Sequence, residues 1–217
     1  MISHCPEGDL VLSYSAGALG EGWSLAVASH LAYCSTCRSV AEYADEVGGV
    51  LLDDQTPSHM PLGSFDSLLE KAQSRDYPRT ALAIEVRAEA ETTIPQPLQN
   101  YVGTDMKSIP WSPIGAGAYQ YLIHTPDDSQ ARLLKIAAGG SVPEHTHEGR
   151  ELTLVISGSF SDESGYFGPG DLEDLDETTT HRPVAGEKEA CICLAVTDAP
   201  LRFTGVLPRL FQSFIGI

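Results

Sequence analysis

GGSVPEHTHEGRELTLVISG, residues 139–158, is the stretch on which the fold of the C-terminal half turns. His145 and His147 are two residues apart, so on a strand they share one face, and Glu151 enters from the same strand-and-turn unit. Leu152 to Ile156 is one of several short segments of strand-like texture. The others are Ala118 to Ile123, Arg132 to Ala137 and Cys191 to Val196, all separated by Gly, Pro and Asp turns. From Tyr101 onward the chain therefore reads as all-β, a sandwich or small barrel. Two imidazoles and a carboxylate turned inward from one such unit would cover one face of a metal ion.

Upstream the period changes. Leu10, Tyr14 and Ala18, then Leu25, Ala28, Leu31 and Ala32, then Val40, Tyr43, Ala44 and Val47 recur at helical spacing, and Phe65 to Gln73 adds a short amphipathic segment. Three or four helices are predicted. Gly17, Gly20 and Gly22 punctuate the first joint, and Pro57 to Gly63 forms a loop. The helical part ends near Tyr77-Pro78. Residues 78–100, with Glu85, Glu89, Glu91, Pro95 and Pro97, have too little apolar surface to pack as a unit and read as a linker with room for one short ordered segment. The expected division is an all-α domain over 1–77, a linker over 78–100 and an all-β domain over 101–217.

A chain of 217 residues with 42 % apolar content can give each half a core. Its 13 Lys and Arg face 30 Asp and Glu, and the net charge of −17 argues against direct binding to nucleic acid or an anionic membrane. No apolar run reaches the roughly 18 residues of a membrane span, and the start, MISHCPEGDL, lacks a signal-like pattern, so a cytoplasmic location is expected. Of five cysteines, four fall as Cys34-x-x-Cys37 and Cys191-x-Cys193; such short spacings in a reducing compartment favour metal or redox chemistry over structural disulfides.

His30 and Cys34 are four apart, which stacks them on one helical face, and Cys37 follows a turn later at the spacing by which two thiolates grip one ion. Thiolate and imidazole suit zinc, and a closed site would supply stability that a small helical domain lacks. The fourth ligand comes from elsewhere, with Cys5 and His4 as candidates. The alternatives are a buried Cys pair with a core histidine, or a thioredoxin-like redox motif, which the helical flanks disfavour.

The residues SHLAYCSTC (29–37), YSAGALGEGWSLAVASH (14–30) and CICLAVTDAPLRF (191–203) resemble the zinc-binding anti-sigma factors of the ChrR type, along most of the chain. In such proteins the upstream zinc ligand lies nine residues ahead of the first helix's tyrosine, which from Tyr14 falls on Cys5. The resemblance thus implies Cys5, His30, Cys34 and Cys37 as one zinc site, with Cys5 standing where the familiar pattern has histidine. Gly139 to Gly158 is also similar to the first cupin motif, and Gly170-Asp171 opens the second, with His181 ten residues past the aspartate. That similarity implies a jelly-roll barrel and a second site of His145, His147, Glu151 and His181 for zinc or another divalent transition metal. The second motif departs from the usual pattern at Asp176, Thr178 and Ala185.

The resemblance implies an anti-sigma factor, not an enzyme: the helical domain would mask a sigma factor of the extracytoplasmic-function type, and the cupin half would release it on an oxidative signal of the singlet oxygen or organic hydroperoxide class. With 12 acidic and 4 basic side chains through Glu85, the helical half could dock on surfaces a sigma factor uses for polymerase or DNA. The competing reading is a metal-dependent cupin enzyme such as a dioxygenase, since four protein ligands leave up to two positions open on a six-coordinate ion. Cys191 and Cys193 read as small core residues before an oxidant-responsive pair. Trp23 and Phe65 read as core or partner-facing, His59 and His124 as solvated, and the acidic run Asp171 to Glu177 as a solvated turn that could also stabilise a nearby cation.

Overall fold

The structure is a computed structural model that describes residues 2–74, 93–115, 117–127, 129–199 and 201–203. Four helices precede residue 75: α1 (Gly8–Ser15), α2 (Glu21–Tyr33), α3 (Ser35–Asp53) and α4 (Ser64–Gln73), and a fifth, α5 (Gln96–Val102), follows. Residues 1–46 and 92–217 form one compact unit and residues 47–91 another. Of the segment read as a linker, residues 78–92 lie outside the described residues. The remainder carries α5, which Ile94 and Leu98 anchor by burial.

α2 explains this packing. A helix with only one apolar face could leave the other in water, but Gly22, Leu25, Ala26, Val27, Ser29, His30 and Leu31 of α2 are all buried, so it needs cover on several sides. Small residues let that cover come close: a Cβ on Gly22 would collide with Ser129 and meet Val196 Cγ1 at 3.3 Å. Leu10, Val11, Leu25, Val27 and Leu98 from the helices thus share one core with Leu133, Leu152, Leu154, Leu172, Leu194 and Val196 from the strands. Trp23 is half-buried against that core.

The strands are β1 (Ser112–Gly115), β2 (Ala118–Ile123), β3 (Gln130–Ile136), β4 (His145–His147), β5 (Glu151–Ser157), β6 (Phe160–Asp162), β7 (Gly165–Phe167), β8 (Leu172–Leu175), β9 (Thr180–His181), β10 (Val184–Ala185), β11 (Cys191–Thr197) and β12 (Leu201–Phe203). All pairings are antiparallel among the described residues. They make a six-stranded sheet β1-β2-β3-β11-β5-β8 and two three-stranded sheets, β10-β6-β7 and β12-β4-β9. β5 and β11, buried almost throughout, are adjacent interior strands of the large sheet, as the apolar runs Leu154 to Ile156 and Cys191 to Val196 require. All three sheets line one cavity of about 70 Å³, bounded among others by Leu134, His145, Phe160, His181 and Cys193. The C-terminal region is therefore the expected β-rich, cupin-like fold.

One expectation fails here. The acidic run is a solvated turn only at its end, Asp176 and Glu177: Leu172–Leu175 is strand β8, and Asp171 and Glu173 are 4 % and 3 % exposed. Leu172 and Leu175 are buried beside these acids, which a composition of alternating Leu and acid conceals. Asp174 chelates Arg150 through two bonds of 2.7 and 2.6 Å, so the run's charge is partly paired.

In the other unit, the C-terminal half of α3 and α4 carry a different surface. Val47, Val50, Leu51, Leu52, Phe65 and Leu68 are all at least 60 % exposed, and α4 buries no residue.

Candidate metal centres

Cys5, His30, Cys34 and Cys37 come together, each offering a donor atom within 4.8 Å of the others. They do not lie on one helix, as the spacing suggests. α2 ends at Tyr33, and Cys34 adopts an extended backbone (φ −101°, ψ 104°) before α3 begins at Ser35. The break makes Cys34 the residue that caps α3: its Sγ accepts the Cys37 N–H at 3.5 Å. Burial works against a thiolate there, but hydrogen bonds from Cys37, Cys5 and Thr36 outweigh it and draw the Cys34 thiol below its ordinary value.

The partners cannot all ionise unaided. Burial, then the Cys5 and Cys34 sulfurs, push Cys37 up to about 12, and burial chiefly raises Cys5. His30, fully buried, donates Nδ1–H to the Gly170 carbonyl at 2.9 Å, which leaves Nε2 without a hydrogen-bond partner. A buried orphan imidazole nitrogen among three crowded sulfurs is a donor set that a thiophilic cation would satisfy. Cys5 is the exposed corner; the other three are buried. His4 goes elsewhere, its ring tilted on Phe167 at 4.2 Å between centroids.

The second group converges through strand pairing. β4 turns His145 and His147 inward, and β9 pairs with β4 so that His181 is the cross-strand neighbour of His145. Their Nε2 atoms meet: His181 lies 3.1 Å from His145 and 3.2 Å from His147. His145 gives Nδ1–H to the Pro143 carbonyl and His181 gives Nδ1–H to Asp162, both at 2.9 Å. These bonds fix the tautomers that aim Nε2 lone pairs at a common point, an arrangement that a cation would relieve. Glu151 stands beside the trio rather than within it. Its Oε2 is 3.4 Å from His147 Nδ1 and its Oε1 accepts from Thr153 at 2.9 Å.

Burial lowers His145 and His147 to about 4. His181 differs: burial would lower it too, but Glu173, Asp162 and Glu151 raise it to about 9. Glu173 itself is pushed up to about 7, mainly by burial. Asp162, Glu173 and His181 thus form a third group of possible ligands that shares His181.

The ChrR cupin-like domain family matches residues 99–200. Over its full length the chain is 42 % identical to the anti-sigma-E factor ChrR of Cereibacter sphaeroides, 99 % of which is covered. The chain belongs to the ChrR family. Likeness in structure agrees: the crystal structure of Rhodobacter sphaeroides SigE in complex with the anti-sigma ChrR matches with a TM-score of 0.78 and 40 % identity, covering 91 % of this chain and 100 % of that one.

In this ChrR-family chain, several participants have no local signature. Asp162, Glu173 and Asp171 act on residues between 8 and 168 positions away, at separations that no strand or helix period marks. Asp171 could have been noticed as part of the Gly170-Asp171 pair. Cys191 and Cys193, with Sγ atoms 3.4 Å apart, are buried and line the ChrR-family cavity close to the histidines. His59 and His124 are exposed, as expected. Among the described residues, no helix is long and apolar enough to cross a membrane.

Proposed function

We propose that this chain is an anti-sigma factor that sequesters a sigma factor of the extracytoplasmic-function type and releases it on an oxidative signal sensed through the cupin half. The observation that carries this reading is the full-length likeness to ChrR, which in its solved structure is bound to SigE. The apolar rows left exposed on α3 and on α4 suit a protein partner, because amphipathic helices with no core to cover are stable when their faces dock. In this reading residues 1–77 are the sigma-binding domain and 101–217 the sensing domain. Cys5, His30, Cys34 and Cys37 hold zinc, which locks the start of the chain to α2 and α3. His145, His147, Glu151 and His181 hold zinc or another divalent transition metal. A cytoplasmic location and the absence of direct nucleic-acid binding follow from the role and from the charge of −17.

Co-expression with the small sigma factor it regulates, followed by purification, is the test. A 1:1 complex is expected; no complex at any salt concentration would overturn the reading. The cavity next to three histidines favours one rival, a metal-dependent cupin dioxygenase. Iron in the purified protein, with oxygen consumed on small thiols or acids, would establish that rival. Zinc with no turnover is expected.

A further inference from the structure

Resting on the reading of Cys5, His30, Cys34 and Cys37 as a metal clamp, we infer that Asp171 is the positioning residue that delivers Cys5 to it, so the clamp's fourth ligand is held by the β-rich half of the chain. Residues 2–7 have no regular secondary structure of their own, and Cys5 is exposed, so nothing local fixes its sulfur. Asp171 does so from the start of β8. Its Oδ1 accepts the Ser3 N–H at 2.6 Å and the His4 N–H at 3.0 Å, while Oδ2 accepts the Gly168 N–H at 2.9 Å. The adjacent Leu172 N–H donates to the His4 carbonyl at 3.1 Å. One buried carboxylate thereby ties both backbone amides that immediately precede Cys5 to a turn of the barrel, through charge-assisted bonds.

The same turn holds a second ligand. Gly170 accepts the His30 ring N–H. Gly170 has φ +89°, and a Cβ there would come within 2.8 Å of Tyr33 Cβ, so the turn approaches the end of α2 as closely as glycine permits. Cys5 and His30, drawn from opposite ends of the helical segment, are thus oriented by neighbouring residues of one turn. Two positions beyond Asp171, Glu173 sits 3.7 Å from His181 Nδ1. Displacement of β8 at the histidine group would therefore shift the support under Cys5.

Cobalt substitution of the full-length protein reads the number of bound thiolates through the sulfur-to-cobalt charge-transfer band. Wild type is expected to show three thiolates, and Cys5→Ser two. Asp171→Ala is expected to fall to the two-thiolate intensity and to release metal to a chelator about 10- to 100-fold faster, the range for groups that orient a ligand. Ser3→Pro removes the shortest of these amide donors without touching the barrel and is expected to move both readouts in the same direction. In the Asp171→Ala/Cys5→Ser double variant no further loss of band is expected. A three-thiolate band and wild-type chelator resistance in both Asp171→Ala and Ser3→Pro would overturn the inference. Two thiolates or fewer in wild type would overturn the clamp reading itself and the inference with it.

Discussion

The sulfur group and the histidine group solve the same problem in opposite ways. The sulfur group takes three of its members from eight consecutive residues, His30 to Cys37, and borrows the fourth from the start of the chain. The histidine group takes its three imidazoles from two paired strands, β4 and β9, and borrows nothing from the helices. Without a cation the first leaves His30 Nε2 buried with no hydrogen-bond partner, while burial and neighbouring sulfurs keep Cys37 a neutral thiol, near 12. The second can persist as a proton-sharing network, with Asp162 and Glu173 supporting a cationic His181. A group that needs its ion to stay assembled suits a structural lock. A group that has a stable alternative suits a switch.

The largest effect that would sharpen this contrast is expected from Cys34→Ala. It removes both a proposed zinc ligand and the cap of α3, and structural zinc in small domains is worth on the order of 10 kcal/mol. Zinc stoichiometry should fall by one, helical circular dichroism should drop, and sigma binding should disappear. Retention of sigma binding with one zinc lost would break the contrast.

A smaller effect is expected from Asp162→Asn, which leaves the three imidazoles in place but removes the carboxylate that orients His181. Affinity of the histidine group for its metal should fall about 10- to 100-fold, with the sulfur group unaffected. Titration of a divalent ion into the metal-depleted full-length chain measures this.

A further effect is a pH slope at the histidine group, read separately from the slope that the sulfur group's thiols impose as they release their own protons. With His145 and His147 near 4, both are neutral at pH 7, whereas His181 near 9 is protonated and must release that proton for Nε2 to bind an ion. Affinity should therefore rise about tenfold per pH unit between roughly 5 and 9, level off above 9, and fall more steeply towards pH 4. A flat profile from pH 6 to 8 would show that His181 is already neutral and that the proton-sharing alternative is absent.

How much of this was legible in the sequence depended on how local each feature is. His145-x-His147 and His30-x-x-x-Cys34-x-x-Cys37 declare themselves because their spacing matches a strand or a helix period. The β-rich half and the helical start were likewise readable from periodicity, and the cupin-like character from the resemblance of Gly139 to Gly158 to a cupin motif. The break at Cys34 was not, since SHLAYCSTCRSV continues a helical pattern across it and only the backbone of one residue departs. β8 was misread because Asp171 and Glu173 look solvated until their partners arrive, the Ser3 and His4 amides from the start of the chain and His181 from the strand after the next turn. α5 was hidden because its seven residues bury Leu98 against helices and strands that the segment alone does not reveal.

The division of labour between lock and switch is tested most directly by comparing His147→Ala with Cys34→Ala in the full-length chain, each co-expressed with the sigma factor and then exposed to singlet oxygen. His147→Ala is expected to keep the complex at wild-type yield and to fail to release it on exposure, while Cys34→Ala yields no complex at all. Loss of the complex in His147→Ala as complete as in Cys34→Ala would contradict it.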